Sequence, residues 1–144
     1  MLIQPYLLKT KLSYDFPETQ WTIGSYSTEE KISLSLSDKV GGPGQLMNSE
    51  ELLVNAIASN LLEQFTLLSE KNKLEYEKVE INSEIVIEPN KQGRAEIKKI
   101  NFQFCVFHTS HREKAELLAQ QAKKDSSIYQ FVKFEKNFAV VIIQ

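Results

Sequence analysis

Between Ser49 and about Lys71 the chain runs without a glycine or proline. Leu53, Val54, Ile57, Ala58, Leu61, Leu62, Phe65 and Leu68 recur there at three- and four-residue steps, the spacing that lines one side of an α-helix. Asn48 is a good N-cap, Glu51 stands three residues later as in a capping box, and Met47 with Leu52 has the spacing of a hydrophobic staple. The sequence therefore predicts one long helix with a sharp start. Its apolar band is wide, so the helix is expected to be central and largely buried, and its surroundings must supply a large apolar face.

Strand patterns flank this helix. Leu8, Thr10, Leu12 and Tyr14 share one parity, as do Trp21 and Ile23, and then Ile32, Leu34 and Leu36. Period two marks half-buried strands, and Asp15-Phe16-Pro17-Glu18 and Ser27-Thr28-Glu29-Glu30 separate them, giving a three-stranded meander. Gly41-Gly42-Pro43-Gly44 breaks the pattern at one tight crossing, where glycine permits backbone closed to other residues. After the helix, Val79, Ile81, Ser83, Ile85 and Ile87 alternate, Pro89 to Gly93 turn, and Ile100, Phe102, Phe104 and Val106 share a face opposite Asn101, Gln103, Cys105 and Phe107. These runs predict an antiparallel hairpin. Ser110 with Glu113 reads as a second capping box opening a helix to about Lys124, a short turn or helix follows around Ser126 to Val132, and Phe138 to Ile143 is a last strand. The order β-β-β-α-β-β-α-β is α+β rather than the alternation of a parallel fold. Apolar positions on both strand faces suggest that a partner chain covers one sheet face.

Composition narrows the function classes. The 144 residues carry 17 basic and 19 acidic side chains, a net charge of −2, and only Arg94 and Arg112 are arginines. No basic cluster offers the footprint that nucleic acid needs, and Lys98-Lys99 and Lys123-Lys124 have Glu96, Glu113 and Asp125 nearby. A chain of this length buries roughly 70% of the surface its unfolded form exposes, so one domain over residues 1–144 is expected to need no disulfide or structural metal. The single thiol, Cys105, has no internal partner, and no basic-then-apolar leader precedes a cleavage site, so a cytoplasmic location is expected. Leu52 to Leu68 is interrupted by Asn55, Ser59, Asn60, Glu63 and Gln64, too polar and too short a run for a membrane span.

Candidate chemistry begins with the polar residues of the long helix, Asn55, Ser59, Asn60 and Glu63, which need partners if buried. Glu50 lies in the first turn, where the helix dipole favours a carboxylate. Cys105 sits mid-strand without the cation or helix N-terminus that makes a reactive thiolate, apart from His108 three residues on. His108 and His111 lack a completing acidic or thiol ligand, so no metal is expected, and no cofactor motif is present. A triad of Ser59 or Ser126 with His108 and Glu50 can be written without any nucleophile-elbow signature to support it. The glycine loop lacks the Lys-Ser/Thr ending of a phosphate loop.

The run from Gly41 to Asn60, GGPGQLMNSEELLVNAIASN, resembles the signature of the OsmC and organic hydroperoxide resistance protein family: a glycine-rich loop, a Glu-Glu-Leu-Leu helix start and alanine-rich turns ending in Ala-Ala-Cys. Ala122 to Tyr129 aligns with its second motif, Ala-x-x-x-Cys-Pro-x-Ser, and the element order matches across essentially the whole chain. The resemblance implies two antiparallel sheets wrapped around a long central helix in an intertwined homodimer, with a site at the subunit interface. It also implies an oxidative stress role, in which one cysteine attacks a hydroperoxide and a second resolves the sulfenic acid as a disulfide.

The departures bear on that activity. The helix cysteine position falls on Asn60, the second falls on Ser126 with Ser127 in place of proline, and residues 1–93 contain no arginine to match the family's N-terminal one. Only Glu50, ten positions before Asn60, matches the family's acidic residue. The leading expectation is a cytoplasmic dimer without the peroxidase cycle, binding a small hydrophobic or amphipathic ligand where Asn60 and Ser126 supply hydrogen bonds, with no nucleic acid or membrane partner. The alternatives are thiol-dependent hydroperoxide reduction by Cys105 and a dimeric scaffold for a protein partner. A hot-dog thioesterase-like fold fits the second helix poorly.

Overall fold

The computed structural model describes residues 4–144. The chain forms two compact units, Met1–Leu52 and Leu53–Gln144. In the first, strands β1 (Thr10–Ser13), β2 (Gln20–Ser25) and β3 (Lys31–Ser35) form the expected antiparallel meander in that order. Leu12 stands opposite Ile23, Ile23 opposite Ile32, and Trp21 opposite Leu34, so the period-two residues share one face. The loop after β3 folds back on its own start: Gly42 N–H donates to Ser37 O at 2.8 Å and Gly44 N–H to Leu36 O at 3.3 Å. A Cβ on Gly42 would lie 2.3 Å from the Leu36 carbonyl oxygen, and Gly41 and Gly44 have φ of 91° and 67°, so the crossing requires its glycines.

Helix α1 (Ser49–Lys71) begins as predicted. Asn48 N–H donates to Glu51 Oε1 at 3.1 Å and Glu51 N–H to Asn48 Oδ1 at 2.9 Å, a reciprocal capping box. Its other end is closed by a Schellman arrangement: Leu74 N–H donates to Ser69 O at 2.9 Å and Lys73 N–H to Glu70 O at 3.3 Å. Lys73 occupies the left-handed position of this cap with φ 54°, where glycine is usual, and Leu74 is buried beyond it.

The larger unit contains β4 (Lys78–Pro89), β5 (Ala95–Phe107), α2 (Arg112–Asp125), α3 (Ser127–Phe131) and β6 (Glu135–Ile143), with β5 central in the sheet. The hairpin β4–β5 is antiparallel, but β6 runs parallel to β5, so this sheet is mixed and not antiparallel throughout. The reason is the connection: α2 and α3 carry the chain back to the end where β5 began, as a crossover must. Val86 pairs with Lys99 and Ile87 with Ile97, leaving Lys98 as the extra residue of a bulge. That bulge shifts the alternation so that Ile97 packs against the same core as Ile100.

The core joins Val54, Ile57, Leu61 and Phe65 of α1 to Ile100, Phe102, Phe104 and Val106 of β5, and to Ala115, Ala119 and Ala122 of α2. Phe65 meets Phe104 edge-on, with ring centroids 5.0 Å apart. Against the expectation of a largely buried helix, α1 buries one stripe only, and Leu67 is 62% exposed. At 23 residues it is long enough and apolar enough, by length and composition alone, to cross a membrane, so the expectation that the run is too polar and too short stands on neither count. Its buried stripe packs on the sheet of its own unit.

The start of α2 also differs from expectation. Its N-cap is His111, whose Nδ1 accepts from Lys114 N–H at 3.1 Å. Ser110 instead accepts from Glu75 N–H at 3.2 Å, a partner 35 residues away in sequence. Lys114 Nζ donates to the Asn72 carbonyl at 2.9 Å, tying α2 to the end of α1.

Replacing Lys73 by Gly should stabilise the protein by up to about 1 kcal/mol, since the left-handed conformation is free for glycine. Urea unfolding measures this, and a loss of stability would show that the lysine carries something beyond the cap.

Candidate functional site

Asn60 and Ser126, the two positions that the resemblance sets against the family's cysteines, come together. Burying Ile57, Leu61 and Phe65 turns Asn60 inward at the border of the stripe, where it is only 8% exposed. Ser126, fully buried, stands at the break between α2 and α3. Its backbone N–H closes α2 on Ala122 O at 2.9 Å, while its hydroxyl caps α3 by accepting from Tyr129 N–H at 3.2 Å.

The Ser126 hydroxyl donates to Asn60 Oδ1 at 2.5 Å, and the same oxygen accepts from Ile128 N–H at 3.3 Å. Asn60 Nδ2 donates to Glu63 Oε2 at 3.0 Å. Asn60 is thus a second cap on α3, supplied from α1. Both Oδ1 acceptor sites are filled, and the Ser126 hydroxyl both donates and accepts. The pair spends these hydrogen bonds on the protein itself, which differs from the expectation that it supplies them to a ligand. Tyr129 anchors the junction, with its ring 5.6 Å from Phe102 and 6.1 Å from Phe138. Burial pushes its phenol pKa up. Lys136 Nζ lies 5.0 Å from the Tyr129 ring centroid and donates to Val132 O, and burial, with Lys133 nearby, pushes its pKa down.

The remaining candidates disperse. Glu50 is in the first turn of α1, within the N-terminal unit. Asn55, Ser59 and Glu63 lie on the exposed side of α1. His108 Nε2 is 3.9 Å from Glu77 Oε2 at the surface, and His111 is a helix cap, so the paper triad with Ser126 does not assemble. Cys105 is 4% exposed and faces away from the helices, since Phe104 and Val106 on either side point into the core. Burial and the Glu80 carboxylate push its thiol pKa up, against a smaller opposing effect of Asn82. Such a thiol is a poor nucleophile at neutral pH. Sequence reasoning missed the Ile128 amide and Tyr129. The only local signal was the cap pattern of Ser126 ahead of an apolar pair.

A family model described as OsmC-like protein matches residues 42–141. No curated protein gives a significant match. Among solved structures, an OsmC-like protein of unknown function from Vibrio cholerae superposes with a TM-score of 0.82 at 16% identity, over 95% of this chain and 100% of that one. An OsmC-like protein from Mycoplasma pneumoniae gives 0.78 at 12% identity, over 98% and 100%. The organic hydroperoxide resistance protein OsmC of Legionella pneumophila gives 0.75 at 14%, over 99% and 100%. At these identities the likeness is one of fold.

Two outcomes test the geometry. Asn60→Ala should cost about 1–3 kcal/mol by stranding the Ser126 hydroxyl and the Ile128 amide. A double-mutant cycle with Ser126→Ala should return a coupling of about 0.5–3 kcal/mol, and additivity would mean that the two do not interact. Iodoacetamide at pH 8 should label Cys105 far more slowly in the folded protein than in denaturant, and equal rates would contradict its burial.

Proposed function

Because this chain belongs to the OsmC-like family, we propose that it is a stress-response member that has lost the peroxidatic and resolving cysteines and does not work as a peroxidase. The observation that carries this reading is the bond between Asn60 and Ser126. Neither side chain can be oxidised to a sulfenic acid or close a disulfide. Their contact keeps α1 and the α2–α3 junction in place without sulfur. The matching Glu50 is present, but no arginine precedes position 94, so the N-terminal arginine that the resemblance pairs with a reactive thiolate is missing.

In this reading the protein is a cytoplasmic homodimer that holds a small hydrophobic or amphipathic ligand. Exposed apolar side chains support it in each unit: Leu12 and Ile32 in the first, Leu67 and Phe131 in the second. Leu12 and Ile32 flank Ile23 on one face of the first sheet, and apolar surface of this kind marks a covered face. A ligand there would be held by apolar contact, since the Asn60 carbonyl and the Ser126 hydroxyl are already engaged. Reduction by Cys105 is the reading that its raised pKa argues against.

The purified protein should not consume cumene hydroperoxide or hydrogen peroxide with a dithiol reductant. Turnover that disappears in Cys105→Ser would overturn the proposal in favour of a strand thiol. The double variant Asn60→Cys with Ser126→Cys should form an internal disulfide on hydroperoxide treatment, detected as loss of two free thiols. Failure to form it would mean that these positions do not correspond to the family's redox pair.

A further inference from the structure

The outer face of the mixed sheet, turned away from the helices, carries a patch that the peroxidase question does not touch. Across the three strands, Asn82 stands beside Gln103 and Ala139, and the next rung sets Glu84 beside Asn101 and Asn137. These six side chains alternate with Ser83, Phe102 and Phe138, of which the two phenylalanines belong to the core side. They line a shallow open depression of about 590 Å³.

Three features set this patch apart from an ordinary solvated strand face. Asparagine is disfavoured in strands, where threonine or a β-branched residue would fit, yet three occupy mid-strand positions on adjacent strands. Local choices that work against the fold collect where function demands them. The amides are also oriented: Asn137 Nδ2 donates to Asn101 Oδ1 at 2.8 Å and Asn101 Nδ2 donates to Glu84 Oε1 at 3.0 Å. That relay uses one N–H of each amide and leaves the second, together with the Asn137 oxygen and the other Glu84 oxygen, for a further partner. Finally, Ala139 is short, which opens the depression between Gln103 and Asn137, and no lysine or arginine lines it.

The chemistry narrows the ligand. The Glu84 carboxylate disfavours phosphates and other anions, and a floor of amides offers little to an apolar molecule. The lysine of this face, Lys99, stands on the next rung between Val86 and Glu135 and outside the depression. Amides that pair a donor with an acceptor, beside a carboxylate that accepts, match vicinal hydroxyl groups, each of which both donates and accepts. We propose that this face binds a neutral saccharide through Asn82, Glu84, Asn101, Gln103 and Asn137. Neighbouring strands spaced by about 4.8 Å present the amides at intervals that a sugar ring can bridge. The inference is independent of the peroxidase reading and stands or falls without it.

The test uses the intact protein, labelled with nitrogen-15, against a neutral-glycan array followed by titration with maltotriose, cellotriose and triacetylchitotriose. At least one neutral glycan should shift the side-chain amide signals of Asn82, Asn101, Gln103 and Asn137 together, while inorganic phosphate leaves them unmoved. Ala139→Leu fills the depression without removing an amide and should weaken binding at least about tenfold. Asn101→Thr with Asn137→Thr should abolish binding and raise the melting temperature, because strand preference is restored. Silence of the whole array, shifts spread elsewhere, or binding that survives both variants would overturn the proposal.

Discussion

The contact of Phe65 with Phe104 fixes how the long helix lies on its sheet, and much else follows from that seating. Burying two rings of this size accounts for several kcal/mol, so the rotation of α1 is set by its apolar stripe and not by its polar residues. Once Leu61 and Phe65 face β5, Asn60 is carried to the border of the stripe, where an unpartnered carboxamide would be costly. The break between α2 and α3 supplies the partner. Three small residues, Ala115, Ala119 and Ala122, let α2 join the core closely, and Ser126 follows directly after them.

The polar junction is therefore subordinate to the apolar one but more specific. Ser126 ends one helix and begins the next, and Asn60 satisfies an amide that α3, only five residues long, cannot satisfy within itself. So short a helix has little intrinsic stability and keeps its shape through tertiary contacts. Tyr129, packed between Phe102 and Phe138, supplies the apolar half of that support. The arrangement explains how both motif positions can be polar in a chain that retains the fold of its relatives.

What the sequence disclosed follows from the range of each interaction. The capping box at Asn48 and Glu51, the meander and the inward face of Ile100 to Val106 are written in residues a few positions apart, and all were legible. The cap of α2 was misread because the Ser110 hydroxyl is claimed by Glu75, so His111 takes the position instead. The direction of β6 was also hidden, since it depends on how two helices return the chain and not on the strand's own alternation. The bulge at Lys98 and the left-handed Lys73 leave no pattern in composition. At the candidate site, Asn60 and Ser126 were found through resemblance to a motif, but their bond spans 66 positions and no local rule anticipates it.

A junction made by an amide and a hydroxyl has no reduction potential. A disulfide in the same place would be made or broken as the surrounding thiol pool shifted, and the seating of α3 would shift with it. Here the only thiol of the chain is buried on the opposite face of the sheet. The covalent structure around Asn60 and Ser126 is thus the same under reducing and oxidising conditions, and the hold on α3 does not vary with the redox state of its surroundings.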